Sequence, residues 1–213
     1  MVMKVLILTG GDFDPVFASS YIKEWKPDKI IAADKGLAQA EKLSIQPDII
    51  LGDFDSCDKK VMDHFSTEEK MIFPCEKDDT DTGLAMQEAI KIDADKILML
   101  GATGTRLDHV LGNIGQLVFA HKRGIQAQMV DSHNRITVLP HQFCIKKEEQ
   151  FGTYVSLIPF YEAEGVTLRG FKYLLNNDTL VFHKTRAISN ELQETEGIIE
   201  YHSGLLLMIE SKD

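Results

Sequence analysis

Three clusters in this sequence combine residue types and spacings suited to phosphate chemistry. Gly52-Asp53-Phe54-Asp55-Ser56 follows the apolar run Ile49-Ile50-Leu51. Two carboxylates one residue apart in an extended turn can face the same side and share a hard cation, which takes oxygen ligands. A turn leading to a helix capped by Asp55 or Ser56 would use the same residues. Lys77-Asp78-Asp79-Thr80-Asp81-Thr82 precedes an amphipathic stretch containing Ala85, Ala89 and Ile92. Thr80 suits an N-cap, and acids in a first helical turn complement the helix dipole. Crowded carboxylates nevertheless repel one another unless a cation neutralises them, so two acidic clusters at one sheet edge point to a divalent metal ion. The third cluster is Gly101-Ala102-Thr103-Gly104-Thr105-Arg106-Leu107-Asp108-His109. Its glycines permit a tight turn, the following helix start offers unpaired N–H groups to phosphate oxygens, and Arg106 adds a planar fork. No GxxxxGK[ST] loop occurs in the chain, which excludes an ordinary P-loop kinase.

The elements that must position these clusters are legible as alternating apolar runs and amphipathic stretches. Strands are predicted over residues 5–9, 29–33, 49–51, 71–73, 97–100 and 126–130. Leu107, Leu111, Ile114 and Val118 form one apolar stripe of a helix running to about Arg123, with His109 and Asn113 on the polar face. Each reactive cluster therefore follows a strand, at the edge where open α/β sheets bind ligands. Asp34-Lys35-Gly36 after the second strand extends this acidic rim. Gly11-Asp12-Phe13-Asp14-Pro15 repeats the DFD pattern, but Asp14 before Pro15 makes a good N-cap and first-turn pair, so a cap is the expectation there. Beyond Asp131 the pattern changes to short runs at 154–158, 166–168, 179–182, 198–201 and 205–209, separated by turn formers. The fold class expected is α/β: a mostly parallel sheet with crossover helices over residues 1–131, then a smaller all-β, sandwich-like domain over 132–213.

Composition narrows the function classes. The 213 residues carry 23 Lys and Arg against 33 Asp and Glu, a net charge of -10, which disfavours nucleic acid as a partner. Cys57, Cys75 and Cys144 are too widely spaced for a disulfide framework or a cysteine-rich zinc site, and a reducing cytoplasm fits them. The first nine residues lack a cleavage site, and no run reaches the roughly 18 apolar residues of a membrane span, so neither secretion nor membrane insertion is expected. The residues alone leave three classes open: a metal-dependent diphosphate-transferring enzyme, including a DxD nucleotide-sugar transferase; an aspartyl phosphatase, disfavoured because no matching downstream lysine follows the DFD; and a nucleotide-sensing module without turnover.

Taken in order, Asp34-Lys35-Gly36, Pro47-Asp48 leading to Gly52-Asp53-Phe54-Asp55-Ser56, Lys77-Asp78-Asp79-Thr80-Asp81, and Gly101 to His109 with Asn113 resemble the thiamine pyrophosphokinase (thiamine diphosphokinase) family. Ser189-Asn190 matches that family's Ser-Asn motif in the β-rich half. The resemblance implies an α/β ATP-binding catalytic domain and a β-sandwich thiamine-binding and dimerisation domain, assembled as a homodimer. It implies transfer of the pyrophosphoryl group of ATP to the hydroxyethyl oxygen of thiamine, giving thiamine diphosphate and AMP. Mg²⁺ would be held by Asp53, Asp55 and Asp81, with Asp81 or Asp55 taking the hydroxyl proton. ATP would contact Lys77, Asp78, Thr80, Thr103, Gly104, Arg106, Asp108 and His109, and thiamine would contact Asp34, Gly36, Ser189 and Asn190. Two departures stand out: Thr105 occupies a position where the family often has Gly, and the sole tryptophan, Trp25, lies in the first half.

Overall fold

A computed structural model describes residues 2–11, 13–52, 65, 69–72 and 79–213. The described chain divides into two compact units, Met1–Ser132 and His133–Asp213. Among the described residues, no helix is long and apolar enough to cross a membrane.

The first unit is a parallel sheet with helices in its crossovers. Its strands are β1 (Lys4–Leu8), β2 (Lys29–Ala33), β3 (Ile49–Gly52), β4 (Glu69–Ile72), β5 (Lys96–Leu100) and β6 (Gln126–Val130). They stand in the order β4-β3-β2-β1-β5-β6. The last four residues of β1 and of β5 are all buried, as expected of central strands covered on both faces, where burying one Leu or Ile side chain stabilises by about 1.5–3 kcal/mol. The helices are α1 (Pro15–Trp25), α2 (Gly36–Leu43), α3 (Asp81–Lys91) and α4 (Leu107–His121). Asp14 caps α1 as the sequence predicts, accepting hydrogen bonds from the Val16 and Phe17 amides at 2.8 and 3.3 Å, with Pro15 in the first turn. Thr80 caps α3 through the Gly83 amide at 3.1 Å.

The register of α4 on the sheet departs from the expected stripe. Leu107 and Leu111 are 73% and 68% exposed, and the buried line is Asn113, Leu117 and Ala120. The helix carries apolar residues on more than one face, so periodicity alone does not say which face packs. Asn113, expected on the polar side, decides it by donating its amide to the Ala102 carbonyl at 2.8 Å.

The second unit is entirely antiparallel among its paired strands: β7 (Asn134–Val138), β8 (Gln142–Lys146), β9 (Tyr154–Arg169), β10 (Leu175–Val181), β11 (Asn190–Glu191), β12 (Glu196–Glu200) and β13 (Ser203–Ser211). The runs expected at 154–158 and 166–168 are one strand of 16 residues. Phe160 and Tyr161 are consecutive exposed residues in it, and Tyr161 takes a left-handed backbone, φ 76°. Such a bulge bends a strand and lets its two halves pair differently: β11 joins the first half, β10 and β12 the second, and β13 follows β9 through the bend. Strands β7 and β8 lie outside the runs expected from sequence: Asn134–Val138 and Gln142–Lys146 set their apolar residues among polar ones over only five residues each. Cross-strand chemistry compensates: the buried Glu210 of β13 accepts two hydrogen bonds from its register partner Arg135 of β7, at 2.6 and 2.7 Å, and one from the Phe151 amide at 3.0 Å.

Asp14→Ala removes the α1 cap while leaving the cleft residues in place. It is expected to cost about 1 kcal/mol, a fall in Tm of roughly 2–4 °C by calorimetry, with turnover unchanged.

Candidate active site

Strand order decides where a ligand can sit in the first unit. From β1 the chain moves through β2 and β3 to β4, and then returns to place β5 on the other side of β1. The connections leaving β1 and β5 therefore diverge, opening a crevice at the carboxyl ends of these two strands. A cleft of about 460 Å³ lies there. It is lined by Thr9, Gly10 and Gly11 after β1, Ala33 to Lys35 after β2, Thr80 to Thr82 at α3, and Gly101 to Arg106 with His109, Val110 and Asn113 along α4.

Backbone packing shapes the cleft. The Thr9 amide bonds the Leu100 carbonyl at 2.9 Å and the Gly11 amide bonds the Gly101 carbonyl at 2.8 Å, extending the β1–β5 seam into the loops. A Cβ on Gly11 would collide with the Gly101 and Thr103 carbonyls, so only glycine allows this approach. Gly36 meets the same constraint at the start of α2, where a Cβ would strike the Leu8 carbonyl. Neither α2 nor α4 has a side-chain cap, whereas α1 and α3 do. In α2 the Leu37 and Ala38 amides are taken by the Asp34 and Lys35 carbonyls at 3.0 and 3.1 Å, so it is the start of α4 that offers N–H groups to an anion.

Charge on the rim is mixed. Asp34 lines the cleft from a left-handed turn, φ 47°, with its amide on the Leu51 carbonyl at 2.9 Å. Asp81 and Thr80 line it from the first turn of α3, while Asp79 is exposed and accepts from Gln87 at 2.6 Å. Arg106 is held by Asp108 through Nε at 3.2 Å and Nη2 at 2.6 Å. That hydrogen-bonded guanidinium holds the Asp108 carboxyl down to about 2, and Asp108 in turn raises the guanidinium. Both side chains are largely solvent-exposed, so the pair orients the fork and adds little stability.

The cleft thus brings together Asp34, Thr80, Asp81, Thr103, Gly104, Arg106 and His109, all predicted from sequence. Asp108 stands behind Arg106, and Gly36 packs beneath β1 without lining the cleft. Asp53, Asp55, Lys77 and Asp78 lie outside the described residues, as does Asp12; β3 ends at Gly52. Among the described residues no group of three metal-ligating side chains forms. Ser189 and Asn190 belong to the second unit. Ser189 is exposed, takes φ 54° and donates its amide to the Ser156 hydroxyl at 3.0 Å. Asn190 is buried, and its amide clamps both backbone groups of Tyr173, accepting from N–H at 3.0 Å and donating to C=O at 2.8 Å. Sequence reasoning missed Thr9 and Gly10, whose signal is a Gly-Gly pair directly after the first strand.

Comparison with known proteins decides among the enzyme classes. The family described as thiamin pyrophosphokinase, catalytic domain, matches residues 21–129, and that described as thiamin pyrophosphokinase, vitamin B1 binding domain, matches residues 140–206. The chain belongs to the thiamin pyrophosphokinase family. It is 37% identical over 187 residues to thiamine pyrophosphokinase of Bacillus subtilis, covering 86% of this chain and 87% of the relative. The crystal structure of the Bacillus subtilis enzyme superposes with a TM-score of 0.87 at 32% identity, covering 99% of each chain. That of Geobacillus thermodenitrificans gives 0.83 at 30%, covering 99% of this chain and 98% of the other. The protein is accordingly an enzyme, a thiamine diphosphokinase that transfers a pyrophosphoryl group to thiamine. The nucleotide-sugar transferase, phosphatase and turnover-free sensor readings fall away.

Asn113→Leu keeps the volume of the side chain but leaves the buried Ala102 carbonyl unpaired. A loss of about 1–3 kcal/mol is expected in denaturant unfolding.

Proposed function

We infer that the pyrophosphoryl donor is ATP, that the products are thiamine diphosphate and AMP, and that the cleft at the ends of β1, β2 and β5 holds the nucleotide. One observation carries this reading: the start of α4, which has no side-chain cap, opens on a single cleft that also receives Arg106 and carboxylates. A polyphosphate is the ligand that uses both the open N–H groups and a cationic fork. Thr80, Thr103, Gly104, Arg106 and His109 bind ATP in this reading, with Lys77 and Asp78, and Asp108 acts through Arg106.

The thiamine hydroxyl attacks the β-phosphorus, the bond from that phosphorus to the α-bridging oxygen breaks, and AMP leaves with its electron pair. Asp81 or Asp55 takes the hydroxyl proton. Asp53, Asp55 and Asp81 would hold Mg²⁺, whose preference for hard oxygen ligands the carboxylates match. Bound there, the ion supplies charge neutralisation on the transferring group. Arg106 supplies the fixed positive charge that the same transition state needs.

The cationic thiazolium suits the carboxylate of Asp34. Gly36 contributes by letting α2 approach β1. In the second unit, Ser189 offers its hydroxyl to thiamine, and Asn190 acts by fixing Tyr173, which is 57% exposed. The native form in this reading is a homodimer in the cytoplasm.

Two measurements test the reading. Incubation with ATP, Mg²⁺ and thiamine should yield AMP and thiamine diphosphate in equal amounts, and Asp81→Asn should cut that rate at least 100-fold by analogy with lost transition-state charge stabilisation, on the order of 10²–10³. Near-normal turnover in the variant at limiting Mg²⁺ would remove Asp81 from the metal site. Ser189→Ala should raise the KM for thiamine and leave the KM for ATP nearly unchanged; equal shifts in both would return Ser189 to an ordinary turn.

A further inference from the structure

Gln39 is a buried polar residue, 9% exposed, on the face of α2 that packs against the sheet. Its Nε2 donates to the Gly11 carbonyl at 3.1 Å, while its Oε1 is buried and has no hydrogen-bond partner among the described residues. An orphaned acceptor is costly, and a buried apolar side chain of the same size would avoid it. What the amide provides is position. The Gly10–Gly11 turn forms one wall of the cleft and packs on the residue just before α2, where a Cβ on Gly10 would lie 2.6 Å from the Lys35 Cβ. Its inner side meets the Gly101–Thr103 loop through the Gly11 amide. Neither glycine has a side chain to anchor it, and Gln39 is the side chain that holds the Gly11 carbonyl.

We propose that Gln39 is a positioning residue for the nucleotide, fixing the Gly10–Gly11 wall of the cleft while leaving its own carbonyl oxygen unsatisfied. The inference rests on the reading of this cleft as the ATP site. Gln39 does not line the cleft; it acts through the turn. A residue kept for stability alone would lower the melting temperature when replaced. A residue kept for position, at a cost in stability, should separate the two quantities.

Full-length wild type and Gln39→Met are compared by calorimetric titration with ATP and Mg²⁺ in the absence of thiamine, by steady-state kinetics, and by thermal unfolding. The methionine has similar volume and neither donor nor orphaned acceptor. The expected result is a Kd and a KM for ATP raised about three- to tenfold, the equivalent of one neutral hydrogen bond. The KM for thiamine stays unchanged and the Tm moves little, because the variant removes the orphaned Gln39 oxygen but leaves the Gly11 carbonyl without its donor. Gln39→Glu, which sets an acceptor against the Gly11 carbonyl, should weaken ATP binding further and lower the Tm. Unaltered ATP binding in the methionine variant, or a Tm lowered by more than about 5 °C, would overturn the role of Gln39 even with the cleft correctly read. A wild-type chain that binds no ATP would overturn the reading of the cleft and this inference with it.

Discussion

Strands β1 and β5 lie side by side in parallel register while the chain leaves them in opposite directions, and the active-site cleft depends on that pairing. Divergent crossovers leave the carboxyl ends of two buried strands uncovered, so backbone groups that would otherwise be lost inside the sheet face a cavity. The seam continues past the last paired residues, through the Thr9 and Gly11 amides onto the Leu100 and Gly101 carbonyls. Both loops are thereby held by the sheet itself. A rigid floor matters for a reaction in which the protein contributes position and charge more than covalent chemistry.

Close packing around that floor explains why small residues recur in it. Gly11 and Gly36 each stand where a Cβ would meet a carbonyl oxygen, on opposite sides of the end of β1. The space they release is taken by main chain, and it sets the distance between α2 and the sheet. The start of α4 at the cleft has no side-chain cap, whereas α3, which also begins at the cleft, is capped by Thr80, and α1, which begins outside it, by Asp14. Capping residues satisfy donors that a ligand would otherwise use, so of the two helix starts at the cleft it is that of α4 that keeps its donors open.

The second unit solves a different problem with the same physics. Its long strand β9 bends at Tyr161, pairs with different neighbours on either side and draws both halves into one core that includes Val155, Leu157, Val166 and Leu168. The polar residues inside it are paired: Glu210 with Arg135, and Asn190 with the backbone of Tyr173. These pairs fix register where apolar alternation is weak, at β7 and β11.

The sequence by itself determined the parallel α/β first half, the β-rich second half, and the strand ends that carry the reactive residues. Strand-length apolar runs and the capping residues Asp14 and Thr80 are local signals, settled by neighbours in the chain. Asp34, Thr80, Asp81, Thr103, Gly104, Arg106 and His109 were legible for the same reason, since each follows a recognisable strand. Only the tertiary structure decided which face of α4 packs, because Leu107 and Leu111 are as apolar as Leu117 and the choice rests on Asn113 reaching the Ala102 carbonyl. It likewise decided that Thr9 and Gly10 line the site and that Gln39 supports it. Strand order brings residues some 90 positions apart into contact, and no local pattern records which strands become neighbours.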